Sequence, residues 1–107
     1  MSRTEQDRLR DVRDATEAIQ AHLADHSDQD SQVLHDALLF QFVVIGEAVK
    51  NLTPQTRQMF PEIPWSDIAG LRDLIAHEYF RIDIDRILEI VKRDLPPLEA
   101  AVQKLLG

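Results

Sequence analysis

The sequence contains no cysteine, and only three glycines, one tryptophan and one tyrosine in 107 residues. Without thiols, disulfides, thiolate metal sites and thiol catalysis are excluded. So few glycines, beside five prolines, leave little room for the many tight turns of an all-β chain. The aliphatic, alanine-rich remainder favours helices. No uninterrupted apolar run approaches the roughly 18 residues that suggest a membrane helix. The opening stretch MSRTEQDRLRDVRD is charged throughout, unlike a secretory leader. A cytoplasmic protein with no membrane association is expected.

Positive charge is also scarce. Twelve Lys and Arg face nineteen Asp and Glu, for a formal net charge of −7. Affinity for nucleic acid comes largely from neutralising phosphates, so the charge counts against a broad RNA-binding surface but does not exclude a small site where a few arginines converge. Hydrophobic and charged fractions of 44% and 29% are ordinary for a globular chain. The length suits one domain over 1–107 with a modest core.

What is present reads as four helices. In 3–24, Leu9, Val12, Thr16, Ile19 and Leu23 recur at three- and four-residue steps, and the arginines among acids opposite them mark a solvated face. His22 and His26 share a spacing that can bind metal, but no third ligand accompanies them, so no metal and no cofactor are expected. After the polar turn DHSDQD, Asp30 or Ser31 is placed to cap a second helix to about Asn51. Val33, Leu34, Leu38, Ile45 and Val49 form one apolar face of it, and Leu39, Phe42, Val43 and Gly46 a second. A partner chain is the simplest cover for that second face, with Gly46 permitting close approach. Glu47, the one acid in this apolar run, reads as exposed or paired. The β-branched run Phe42 to Ile45 makes a strand the competing assignment, outweighed by the helical flanks.

Thr53-Pro54 reads as an N-cap with proline at N1, opening an extra short helix near 54–60. Pro61 and Pro64 force an extended entry to a third main helix over 65–79, with Trp65 plugging the core at the corner. Asp83 is placed to cap the fourth, in which Pro96-Pro97 predicts a kink or break. Four helices with short connections make an all-α, antiparallel four-helix bundle.

The stretch Arg72-Asp73-Leu74-Ile75-Ala76-His77-Glu78-Tyr79 carries the chemistry. Arginine offers a planar fork of donors for phosphate, histidine exchanges a proton near neutral pH, and tyrosine adds a hydroxyl on an aromatic ring. On a straight helix His77 lies about 140° round from Arg72, so the two do not aim at one atom. Either the helix unwinds near His77 or a second copy of the chain completes the site. Taken alone, the R-x4-H-x-Y spacing also fits carbonyl capping and ion pairing with Asp73 or Glu78.

The wider pattern is more specific. Ile63-Pro64-Trp65, Ala69-Gly70-Leu71-Arg72-Asp73, His77-Glu78-Tyr79-Phe80 and Ile82-Asp83, with Ile45-Gly46-Glu47-Ala48 and Lys50 upstream, resemble the HEPN superfamily and its HepT-like toxin branch over roughly 8–95. Glu78 and Arg81 stand where many relatives carry glycine. The resemblance implies a small all-helical homodimer, possible higher hetero-oligomers, and an endoribonuclease toxin paired with an MntA-like nucleotidyltransferase antitoxin. It implies that Arg72 and His77 are catalytic and that the antitoxin silences the toxin by transferring AMP to Tyr79.

The chemistry agrees with that implication without a metal. RNA, whether tRNA or mRNA, supplies its 2′-hydroxyl as nucleophile, His77 suits proton transfer and Arg72 the phosphate charge. One histidine cannot serve as base and acid in one step, whereas a two-fold dimer supplies two. Asp73, four residues before His77, is placed either to orient its ring or to form a plain surface pair. The rival expectation is a non-catalytic helical partner that helps a nucleotidyltransferase bind or present its substrate. The acidic charge and Glu78 favour that rival; the intact Arg72, His77 and Tyr79 favour the ribonuclease.

Overall fold

A computed structural model describes residues 4–25 and 31–107. The His22–His26 spacing, the turn before the second helix and the Asp30 cap therefore fall partly or wholly outside the described residues. Within them the chain forms six α-helices and no strand: α1 Glu5–Asp25, α2 Gln32–Lys50, α3 Pro54–Gln58, α4 Trp65–Ala69, α5 Leu71–Glu78 and α6 Ile84–Leu106.

Local chemistry sets the helix starts. Thr4 and Asp7 exchange backbone-to-side-chain hydrogen bonds of 3.0 Å each, a reciprocal cap on α1. The side chains of Ser31, Thr53 and Asp83 accept from Leu34, Thr56 and Arg86 amides at the starts of α2, α3 and α6. The predicted stripe of α1 is the one buried, and the hydroxyl of Thr16, the polar member of the core, donates to Arg13 O at 2.8 Å.

The central element is α2, helical straight through Phe42 to Ile45. By length and composition it is apolar enough to cross a bilayer, but Leu34, Leu38, Phe42, Ile45 and Val49 lie deep in the chain's own core. One side of α2 receives α1, which also packs on α6; the other receives α4 and α5. Its second apolar face is thus covered from within the chain, not left for a partner. Gly46 makes this possible. A Cβ there would sit 2.9 Å from Arg72 N and 3.2 Å from Ile68 O, so the α4–α5 junction rests on bare backbone. Val33 and Phe40 are the large apolar side chains of α2 left in water.

Two further expectations are corrected. The helix over 65–79 is two, divided at Gly70, whose amide closes α4 on Ser66 O and whose carbonyl opens α5 to Leu74 N, both at 3.0 Å. Conversely, of the kink or break expected at Pro96-Pro97, the break does not occur, and α6 runs on through both prolines. Both prolines face solvent, as do Lys92 and Arg93, the residues whose carbonyls lose their helical donors.

The connection between α2 and α4 is tied down by side chains. Trp65 is buried, and its Nε1 donates to Arg57 O at 3.0 Å and Phe60 O at 2.9 Å. It fills the corner and offers no face for a base. Arg57 Nη2 donates to the carbonyls of Lys50 and Leu52, closing the end of α2. Glu5 Oε1 accepts from Thr53 N at 2.9 Å, joining the start of α1 to α3. That amide first, then the hydroxyls of Thr56 and Thr53, hold the Glu5 carboxyl below the usual range against the opposing effect of burial.

Candidate active site

The short helix α5 carries the candidate residues and displays them because its inner side is anchored. Ile75 is buried in the core, Leu71 is half-buried against it, and Leu74 is partly covered. The opposite side is therefore forced outward, and Arg72, Asp73 and His77 are all exposed. The helix stays wound through Glu78, past His77, and Tyr79 still has helical backbone angles (φ −53°, ψ −32°). Unwinding is thus not the answer to the angular offset between Arg72 and His77, which stays at about 140° on one helix.

Arg72 is the better held of the two. Its backbone is seated over Gly46, and its Nε lies 3.2 Å from Glu47 Oε2, each side chain about half exposed. The Glu47 oxygen is itself sealed from solvent and poorly aligned for a hydrogen bond, so the contact is an ion pair. Asp73 Oδ1 approaches Arg72 Nη1 at 3.7 Å, and among the described residues Asp73 forms no hydrogen bond or ion pair with His77. Glu47 is paired, as its place in α2 predicts. That its partner is Arg72 was invisible in the sequence, because the link runs across the Gly46 contact between two helices; the Gly-Glu pair inside an apolar helix was the available signal.

Past α5 the chain turns, with Arg81 N donating to Glu78 O at 2.8 Å. Tyr79 is 62% exposed and Phe80 68%. Their rings meet edge to face, with centroids 5.8 Å apart and planes at 86°. Arg81 Cζ lies 5.4 Å from the Phe80 centroid. Across the turn, His35 Nε2 bonds Ile82 O at 2.8 Å. Among the described residues no three His, Asp or Glu side chains form a group able to hold a metal ion. A larger cleft, of about 460 Å³, lies between α4–α5 and α6 beside Leu74, Arg86, Glu89 and Arg93. Its arginines and acids alternate, so it offers no concentrated charge of one sign.

The arrangement presents a held guanidinium, a solvent-facing imidazole and a phenol on one end of the molecule.

The model of the family described as ribonuclease HepT-like matches residues 7–105. The chain is 33% identical over 101 residues to a Methanocaldococcus jannaschii protein named as a gamma-glutamylcyclotransferase and, provisionally, an RNase. That match takes in 92% of this chain but 46% of the relative, so the chain spans about half of that protein. A probable ribonuclease HepT of Thermococcus cleftensis is 32% identical over 108 residues, 98% of each chain. A provisionally named RNase of Caldanaerobacter subterraneus is 40% identical over 74 residues, 69% of this chain and 66% of the relative. No solved structure matches the chain. The match to the family model over nearly the whole sequence, with end-to-end similarity to the Thermococcus protein, places this chain in the HepT-like ribonuclease family.

Proposed function

We propose that this HepT-like ribonuclease is the toxin of a toxin–antitoxin pair, a metal-independent endoribonuclease whose site is shared between two copies of the chain. The observation that carries the reading is the outward display of Arg72, His77 and Tyr79 on and just beyond one helix, with Arg72 and His77 offset by about 140° around its axis.

Two-fold pairing of that end brings two His77 and two Arg72 to one cleft. One His77 takes the proton of the RNA 2′-hydroxyl as its oxygen bonds to the adjacent phosphorus. The second copy's His77 gives a proton to the departing 5′-oxygen as the P–O5′ bond breaks. Arg72 neutralises the charge growing on the phosphate oxygens. The products are a 2′,3′-cyclic phosphate and a 5′-hydroxyl, and RNA itself supplies the nucleophile.

Tyr79 is the point of control. Its exposed hydroxyl attacks the α-phosphorus of ATP on an MntA-like nucleotidyltransferase, forming a phosphodiester and releasing pyrophosphate. The added AMP puts bulk and negative charge beside Arg72 and His77 and repels RNA.

The test is RNA cleavage in EDTA by purified protein whose mass shows no nucleotide on Tyr79, beside His77→Ala. Cleavage that is lost in the variant supports the reading; cleavage that survives overturns it. A second reading, a helical module that presents substrate to a nucleotidyltransferase, is favoured by the pairing of Arg72 with Glu47 and Asp73. Growth arrest on expression without the partner belongs to the toxin and not to the module.

A further inference from the structure

The exposed ring of Phe80 has no part in the chemistry above, yet it lies next to it. Helical backbone through Tyr79 makes His77 and Phe80 neighbours at i and i+3, with about 5–6 Å between Cβ atoms. A phenylalanine 68% exposed is one the fold has left out of its core. It is not left loose. The turn is closed by Arg81 N on Glu78 O, the next residue is held by His35 Nε2 at Ile82 O, and Asp83 then caps α6 through Arg86 N. Tyr79 sets its ring edge to face with Phe80, and the Arg81 guanidinium lies 5.4 Å from the Phe80 centroid. An aromatic ring braced by a cation, in a chain otherwise poor in both, matches an unpaired base and its phosphate better than it matches a purely apolar partner.

We propose that Phe80 and Arg81 form a stacking subsite for an unpaired base beside the scissile phosphate, so that the enzyme takes single-stranded loops and ends rather than duplex RNA. In a helix the bases are stacked on each other and cannot reach a protein ring; in a loop they can. The inference rests on the ribonuclease reading, and its test separates the two.

Phe80→Ala, Phe80→Leu and Phe80→Trp are compared by steady-state cleavage of a bulk tRNA pool, and Phe80→Trp also by quenching of the added indole with a twelve-nucleotide oligoadenylate. Stacking predicts that alanine and leucine each raise KM about 5- to 150-fold, the range one base on one ring supports, while tryptophan restores the wild-type value and is quenched. Rescue by leucine overturns the proposal, because an apolar contact needs no π face. So does a shift of the dimer–monomer equilibrium in Phe80→Ala that accounts for its lost activity, which would assign the ring to contact between copies. If the wild-type chain cleaves no RNA, the ribonuclease reading fails. The quenching titration still decides the subsite: quenching retains it as a binding site, and an unquenched indole removes it.

Discussion

Arg72 and His77 sit on the same eight-residue helix, but one is held and the other faces water. Glu47 lies against the Nε edge of Arg72, and Asp73 lies 3.7 Å from its Nη1, while the side chain stays about half exposed, where a phosphate can still meet it. Exposed side chains contribute little to folding, so His77→Ala is expected to leave stability within about 0.5 kcal/mol in urea unfolding. The same change should lower cleavage by roughly a hundredfold or more, the usual weight of a positioned acid–base group. Glu47→Gln makes a finer test. A half-exposed ion pair contributes at most about 1 kcal/mol to stability, so the fold is expected to tolerate the change. Turnover at saturating RNA should fall roughly tenfold as the guanidinium loses its mooring. A rise in turnover would mean instead that Glu47 competes with RNA for Arg72, and that its role is restraint.

At the scale of elements, the seat of α4 and α5 on Gly46 is the contact on which the site depends. Gly46→Ala would raise helix propensity by about 1 kcal/mol, but its Cβ meets backbone at 2.9 Å and 3.2 Å, and backbone does not yield as a side-chain tip would. The expected outcome is a net loss of roughly 1–2 kcal/mol by thermal or urea unfolding, with cleavage falling further because the atom displaced is Arg72 N. Gly70→Ala is the control: its Cβ would lie 3.4 Å from Ser66 O, an ordinary contact, and stability should hold or rise. Periodicity and caps made α1, α2, α3 and α6 legible in the sequence, since Leu9, Val12, Ile19 and the caps Ser31, Thr53 and Asp83 act through near neighbours. The cover of α2 was not legible, because a bare glycine marks close approach without naming what approaches. Nor was the continuity of α6, since a proline pair marks two lost hydrogen bonds without fixing whether the helix ends there. The tie between α1 and α3 carries a pH signature. Glu5 is depressed by the Thr53 amide, so its contribution is present above the unfolded value of 4.5 and is lost as pH falls through the lower folded value. Glu5→Gln should therefore flatten the acid side of the stability profile, measured as urea midpoints at neutral pH and at about pH 3.

For the whole molecule, the net charge of −7 works against broad capture of RNA, so under the proposed function recognition rests on a few side chains, Arg72, Arg81 and His77 among Glu47, Asp73 and Glu78, and not on the field of the protein. The end that carries them presents one Arg72 and one His77 per chain, offset around the helix axis, and its outward side chains are uncovered by the chain's own helices. Pairing two copies across a two-fold axis answers both the geometry and the need for a base and an acid, and it has a numerical consequence. If each cleavage event needs both imidazoles, a dimer of one wild-type and one His77→Ala chain is inactive. Random reassembly of equal amounts gives about one quarter wild-type dimers, so activity should fall to about a quarter of that of the wild-type chains alone at the same total protein concentration. Independent sites would instead retain about half. Mixing after joint unfolding and refolding, with the dimer confirmed by light scattering, distinguishes the two. Retention of half the activity would confine the chemistry to single chains and leave the second copy, if present, a structural partner. A fall to a quarter would make the second His77 part of the reaction.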